Sequence, residues 1–272
     1  MTGTLYVLGT PIGNLSDFSK RAIETLKTCD LIAAEDTRVT LKLLNHFEIK
    51  TKITSYHEHN KFEKGPELIS KLLKGENIAI ATDAGMPAIS DPGEDLVKLC
   101  HENGIPVKAV PGPTAFATAI AVSGFDSRRF HFEGFLEMDK KKRRAQLESL
   151  EGINCTLILY EAPHKLSSTL KDLYKALGDR KLCIVREITK IHEETIQTTL
   201  LKATEDYPNN NLKGELVLII EGNKETEEES TLKDAVTFAK ELVEAGLSGN
   251  AASKIVAKRT GLKKRDIYQE LI

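Results

Sequence analysis

The sequence predicts an α/β protein of two lobes followed by a small helical domain, and three observations carry that prediction. Short apolar runs at 4–9, 31–36, 78–83 and 106–111 alternate with helical patterns at about 19–29, 38–47, 64–75 and 93–103. Continuous apolar strands between amphipathic helices belong to a mainly parallel sheet covered on both faces. A second set of strands, 130–135, 155–161, 181–188, 194–200 and 215–221, includes two that flank only Thr189 to Glu193. That connection is too short for a crossover helix, so these strands pair antiparallel and the second sheet is mixed. Finally, Glu221 to Glu229 holds five glutamates and one lysine with little to bury, and reads as an exposed linker. The expected domains are 1–115, 116–225 and 226–272.

In the first lobe, Ala22, Ile23, Leu26 and Cys29 share a helical face, with Ser16 or Ser19 as N-cap. Ile53 to Tyr56 adds a fifth strand. Three strands empty into Gly/Pro loops: Leu8-Gly9-Thr10-Pro11, Asp83 to Gly93, and Val110-Pro111-Gly112-Pro113-Thr114. Glycines admit close backbone approach and prolines hold a loop open, so the three junctions can line one crevice at the carboxyl edge of the sheet. An ordinary strand-to-helix turn is the plain alternative for any one of them. None matches GxGxxG or GxxxxGK[ST], which counts against NAD and ATP enzymes of those types.

Phe116 to Val122 forms a small-residue apolar helix joining the lobes, and helices at 139–150 and 165–177 cover the second sheet. The tail reads as helices at about 231–245, 249–259 and 263–271, stopped by Gly246 and Gly261. From Leu232 to Ile272 the net charge is +3. Ala251 to Tyr268 has a helix-turn-helix look, the alternative being a helical cap with a solvated basic face.

With 272 residues, 40% hydrophobic and 29% charged, the chain is an ordinary globular one with room for a substantial core. A formal net charge of −2 excludes a uniformly basic nucleic-acid coat, leaving local patches. With no apolar run of membrane length and no signal segment, a cytoplasmic protein is expected. Cys29, Cys100, Cys155 and Cys183 lie at least 28 residues apart, which is neither zinc nor CxxC spacing, so buried reduced thiols are expected.

The segments TPIGNL, AAEDTR (Ala33 to Arg38), SYHEHN (Ser55 to Asn60), DAGMPAISDPG, PGPTA, EGF (Glu133 to Phe135), YEAPH (Tyr160 to His164), REITK (Arg186 to Lys190) and KGELVLIIEG (Lys213 to Gly222) follow in order. Together they resemble the ribosomal small-subunit methyltransferase I family, a branch of the tetrapyrrole-methylase fold. The resemblance implies 2′-O-methylation of a cytidine in 16S rRNA, S-adenosylmethionine as donor, and a homodimer. It also implies donor binding by Leu8, Thr10, Asp83, Gly85, Met86, Ile89, Ser90, Thr114, Ala115, Tyr160 and Glu161, with the Lys213-Gly214-Glu215 strand start as a further candidate. Met86 departs from the small polar residue expected there.

A ribose hydroxyl is a poor nucleophile at neutral pH, so a base is sought among Glu35, Asp36, His57, Glu58, His59, Asp91 and Glu187. Arg38 and Lys190 are candidate catalytic cations beside Glu35, Asp36 and Glu187; the plain alternatives are a salt bridge from Arg38 to Glu35 or Asp36 and an interlobe ion pair for Glu187 and Lys190. His57 and His59 share a side of an extended segment, yet lack a third ligand for zinc. His57 and Asn60 are assigned to substrate, as is the basic run Lys140, Lys141, Lys142, Arg143 and Arg144, joined by Arg128 and Arg129. Such a footprint is phosphate-led and salt-sensitive. Tyr56 and Phe135 are candidates to stack a splayed cytosine. Two other functions compete: a methylase of tetrapyrroles or other small metabolites, and a non-enzymatic RNA-binding assembly factor.

Overall fold

The computed structural model describes residues 2–209, 212–223 and 227–271. They fall into two compact units, 1–222 and 223–272. The larger unit holds two five-stranded sheets.

The first sheet runs in the order β3-β2-β4-β1-β5, from β1 (Leu5–Leu8), β2 (Leu31–Ala34), β3 (Ile53–Ser55), β4 (Ile78–Ala81) and β5 (Val107–Val110), all parallel. Every residue of the interior strands β2 and β4 is buried, which is why both are continuously apolar. Alternate side chains feed opposite cores. Leu5, Leu31, Ala33, Ile78 and Ile80 pack with Leu68 and Leu72 of α3 (Lys61–Leu73) and with Leu96 and Cys100 of α4 (Glu94–Glu102). Leu8, Ile32 and Ala79 pack with Ala22 and Leu26 of α1 (Lys20–Thr28) and with Leu44 of α2 (Thr37–His46). Ser19 is the N-cap of α1, its hydroxyl accepting from Ala22 N at 3.1 Å.

The second sheet runs β6-β7-β10-β8-β9, from β6 (Phe130–Phe135), β7 (Thr156–Glu161), β8 (Lys181–Arg186), β9 (Glu194–Thr199) and β10 (Leu216–Ile220). Only β6 and β7 pair in parallel; β8 and β9 form the expected antiparallel hairpin. One face packs on α6 (Lys140–Leu150) and α7 (Leu166–Leu177). The other, with Ile158, Cys183, Val185, Val217 and Ile219, meets Ala119 and Ile120 of α5 (Ala115–Ser123) and also Ile12 from the loop after β1. That shared core joins the sheets.

Three expectations need correction. The strand ending near residue 200 stops at Thr199, whose hydroxyl accepts from Lys202 N at 3.3 Å and starts an unforeseen helix, α8 (Leu200–Asp206). The glutamate-rich stretch is not linker throughout, because α9 (Glu227–Glu244) begins within it; residues 224–226 lie outside the described residues. In the smaller unit Ala235, Val236 and Ala239 of α9 close on Ala252 and Val256 of α10 (Gly249–Thr260) and Ile267 of α11 (Lys264–Gln269). Gly261, left-handed at φ 78°, ends α10. All four cysteines are free; Cys155 is half-buried rather than buried. Among the described residues no helix is long and apolar enough to cross a membrane.

Candidate active site

The loops after β1, β4 and β5 come together because two glycines touch. A Cβ on Gly9 would fall 2.7 Å from Gly112 Cα and 2.7 Å from Met86 Sδ, so any larger residue pushes the loops apart. Thr10 and Gly85 exchange backbone hydrogen bonds at 2.9 and 3.2 Å, and the Thr10 hydroxyl donates to Thr82 O at 3.2 Å. The loop after β4 then turns through left-handed backbone at Ala88 (φ 64°) and Ser90 (φ 63°). Non-glycine residues held there cost on the order of 1–3 kcal/mol each and persist only when the surroundings fix them.

Carboxylates gather on this wall. Asp36 N donates to Asp83 Oδ1 at 3.1 Å, and Asp83 N lies 3.4 Å from Glu35 Oε2, so the ends of β2 and β4 are cross-tied. Desolvation at the cavity raises the pKa of both Glu35 and Asp83 above the ordinary carboxylate value. Asp91 is pushed up to about 6, by burial first and then by the charges of Glu35 and Asp83. Acids disturbed in this direction are relieved by a cation.

The facing wall belongs to the second sheet. Val185, Leu216 and Val217 give it an apolar surface, and Tyr160 and Glu161 its polar groups. The Tyr160 hydroxyl accepts from Phe116 N at 3.2 Å and so caps the first turn of α5. Glu161, buried, accepts from Ala162 N at 2.7 Å through Oε1 and from the Thr169 hydroxyl through Oε2. Phe135, 56% exposed, stands at the mouth with its ring 5.5 Å from that of Tyr160. Between the walls lies a cavity of about 390 Å³. That is within the ~300–1,000 Å³ of small-molecule sites.

Asp83, Gly85, Met86, Ile89, Ser90, Thr114, Ala115, Tyr160, Glu161 and Glu35 all line this cavity, as do Asp91 and Glu215. Leu8 and Thr10 do not; Leu8 is fully buried in β1 and Thr10 shapes the loop. Asp36 and Arg38 also stand outside the lining, paired at 2.6 Å, with Asp36 capping α2 by accepting from Arg38 N. Glu187 and Lys190 form another pair, 2.8 Å apart, and Lys190 also reaches Glu215 at 3.2 Å. The stem of Lys190 crosses to the first lobe, where a Cβ on Gly13 would fall 2.6 Å from its Cγ. The Arg38–Asp36 pair is the salt bridge that formed its plain alternative, whereas Glu187 and Lys190 pair within the second lobe rather than across the lobes.

Around the substrate candidates the structure makes further distinctions. Tyr56 is 1% exposed inside the first core, so it stacks no base. Asn60 closes a turn, accepting from His57 N at 2.8 Å and donating to Ser55 Oγ at 3.1 Å. The His57 and His59 rings lie 6.0 Å apart, and among the described residues no cluster of metal-ligating side chains exists. In α6, Lys140, Lys141, Lys142 and Arg144 are exposed, whereas Arg143 turns inward to Asp172 and Thr169. Missed by the sequence reading were Ile12, Ala162, Pro163, Val185, Ile188, Leu216 and Val217. Apolar residues at strand ends carry the same signal as core, so periodicity alone does not find them. An acidic, half-apolar cavity of this size is suited to a small cation with an apolar body.

The family model for Tetrapyrrole (Corrin/Porphyrin) Methylases matches residues 4–204. A protein of Halalkalibacterium halodurans called ribosomal RNA small subunit methyltransferase I is 48% identical over 98% of this chain and 93% of its own length. Proteins of the same designation from Synechocystis and Bacillus subtilis are 46% and 44% identical, each over 98% of this chain and 96% and 93% of their own lengths. Among solved structures, a uroporphyrin-III C-methyltransferase from Thermus thermophilus, complexed with S-adenosylhomocysteine, shares the fold at TM-score 0.57 and 16% identity. It covers 80% of this chain and 97% of that one.

Proposed function

Because this chain belongs to the ribosomal RNA small subunit methyltransferase I family, within the tetrapyrrole methylases, we propose that it methylates the 2′-oxygen of a cytidine ribose in 16S rRNA with S-adenosylmethionine as donor. The observation that carries this reading is the cavity itself. Its three desolvated carboxylates, Glu35, Asp83 and Asp91, favour a cationic ligand, and Ile12, Ile89 and Val217 offer an apolar bed. A sulfonium donor with an ammonium group and an adenosyl body matches both demands.

When bound, the donor supplies an electrophilic methyl group, which passes from sulfur to the ribose oxygen while the hydroxyl proton leaves to a base or water. The protein's share is mostly positioning, which is worth about 7–11 kcal/mol when the pose is near attack. Asp83, Ser90, Thr114, Tyr160 and Glu161 hold the donor, with Gly85 and Met86 beside them in the loop after β4. Of the candidate bases only Glu35 and Asp91 line the cavity, and Asp91, with its pKa near 6, stands closer to the operating range of a general base. Phe135 stacks the target base at the mouth, and the exposed lysines of α6 meet phosphates.

On the same resemblance we infer that the substrate is the assembled or nearly assembled small subunit in the cytoplasm, and that the protein works as a homodimer. Sedimentation equilibrium is expected to give about twice 30.1 kDa. The experiment that tests the function supplies methyl-labelled S-adenosylmethionine with either undermethylated small subunits or uroporphyrinogen. Label in the RNA supports the reading; label only in the tetrapyrrole overturns it.

A further inference from the structure

Three side chains join the basic helix α6 to the wall of the cavity. Arg143 Nη2 donates to Thr169 Oγ1 at 2.9 Å, and the Thr169 hydroxyl meets Glu161 Oε2. Arg143 Nε donates to Asp172 Oδ2 at 2.8 Å, one turn further along α7. Direction follows from chemistry. A guanidinium only donates, so Thr169 accepts from Arg143, and the single hydroxyl proton is left for Glu161. Ala162 N–H takes the other carboxylate oxygen at 2.7 Å. Glu161 and Thr169 are 5% and 1% exposed, so a carboxylate there needs such partners to stay in place.

Resting on the reading that this cavity holds the methyl donor, we propose that Arg143 and Thr169 are positioning residues for donor binding. They fix the Glu161 carboxylate, and Arg143 is thereby withdrawn from RNA phosphate contact. The basic run divides accordingly. Arg143 has 17% of its side chain exposed and is engaged on two sides, and Arg144 pairs with Glu148 at 2.8 Å while 81% exposed. Lys140, Lys141 and Lys142, all exposed, are left to track phosphates. Asp139 sets this division by capping α6, accepting from Lys141 N at 3.1 Å and Lys142 N at 3.0 Å, which fixes where the first turn points Arg143.

Thr169→Val keeps the shape of the side chain and removes the hydroxyl; Thr169→Ser keeps the hydroxyl. The experiment measures calorimetric binding of S-adenosylhomocysteine, donor KM and kcat on undermethylated small subunits, and the salt dependence of RNA binding. Thr169→Val and Arg143→Met are expected to raise the dissociation constant and the donor KM at least tenfold, with kcat within about twofold, the signature of weakened uniform binding. Thr169→Ser restores both values, and the salt slope is unchanged in all three. Wild-type affinity in Thr169→Val, even with a lowered melting temperature, overturns the proposal by making the contact merely structural. A flattened salt slope with unchanged donor affinity in Arg143→Met overturns it too, returning Arg143 to the RNA. Failure of the wild type to bind S-adenosylhomocysteine overturns the donor reading itself, and this proposal with it.

Discussion

The two walls of the cavity are made from different parts of the chain. The first-sheet wall is loop: glycine contacts, left-handed Ala88 and Ser90, and carboxylates tied to backbone amides. The second-sheet wall is strand and strand end: Val185, Leu216 and Val217 from a packed core, plus Glu161 held through α7. In the loop wall, position is set by backbone conformation, so the sequence must place Gly, Pro and Asp at fixed points. In the strand wall, position is set by packing, and ordinary aliphatic residues suffice. The loops therefore supply charge and shape, and the strands supply a rigid apolar backing and one oriented acid.

Asp83→Ala breaks the loop wall at its cross-tie. Donor affinity is expected to fall ten- to a hundredfold, in keeping with the ~1.5–3 kcal/mol of hydrogen bonds to charged groups. Circular dichroism should stay unchanged, and equal affinity would remove Asp83 from the site. Phe135→Ala tests the mouth. It should raise the KM for RNA in line with about 1–3 kcal/mol per stacked base, leaving donor affinity alone. A change in donor affinity instead would move Phe135 from the RNA to the donor.

A pH titration separates the walls further. Asp91 has its pKa raised from 3.8 to about 6, so its proton stabilises the ligand-free fold at low pH, and that contribution disappears as pH rises through 6. A cationic donor favours the ionised acid, so affinity should climb several-fold between about pH 5 and 7 and flatten in Asp91→Asn. Identical profiles in the two proteins would take Asp91 out of donor binding. The smallest effects lie outside the cavity. Replacing Lys140, Lys141 and Lys142 by Gln should flatten the salt slope of RNA binding by ~0.7 for each phosphate no longer neutralised, with donor affinity unchanged. An unaltered slope would make that face merely solvated.

What the sequence disclosed follows the same contrast. Alternating apolar strands and amphipathic helices gave both sheets, and the short gap expected at Thr189 to Glu193, which is seven residues between β8 and β9 in the structure, gave the hairpin. The loop wall was visible because three strands of one sheet end in glycine- and proline-bearing loops, a repetition that an ordinary turn at any one of them does not require. The strand wall was hidden, since Val217 looks like its neighbour Leu218 until packing shows which one faces the cavity. Tyr56 was misread because an aromatic in a polar motif resembles a stacking platform, yet it fills the core under α3. The inward turn of Arg143 to Asp172 and Thr169 was not legible, because five consecutive basic residues do not reveal which one the helix turns inward.

The most direct measurement digests undermethylated small subunits after reaction with labelled S-adenosylmethionine and separates the nucleosides by mass spectrometry. Label in 2′-O-methylcytidine, weakened by Asp83→Ala when the donor is limiting, is the predicted result. Label in another nucleoside, or tight donor binding without any transfer to RNA, would contradict it.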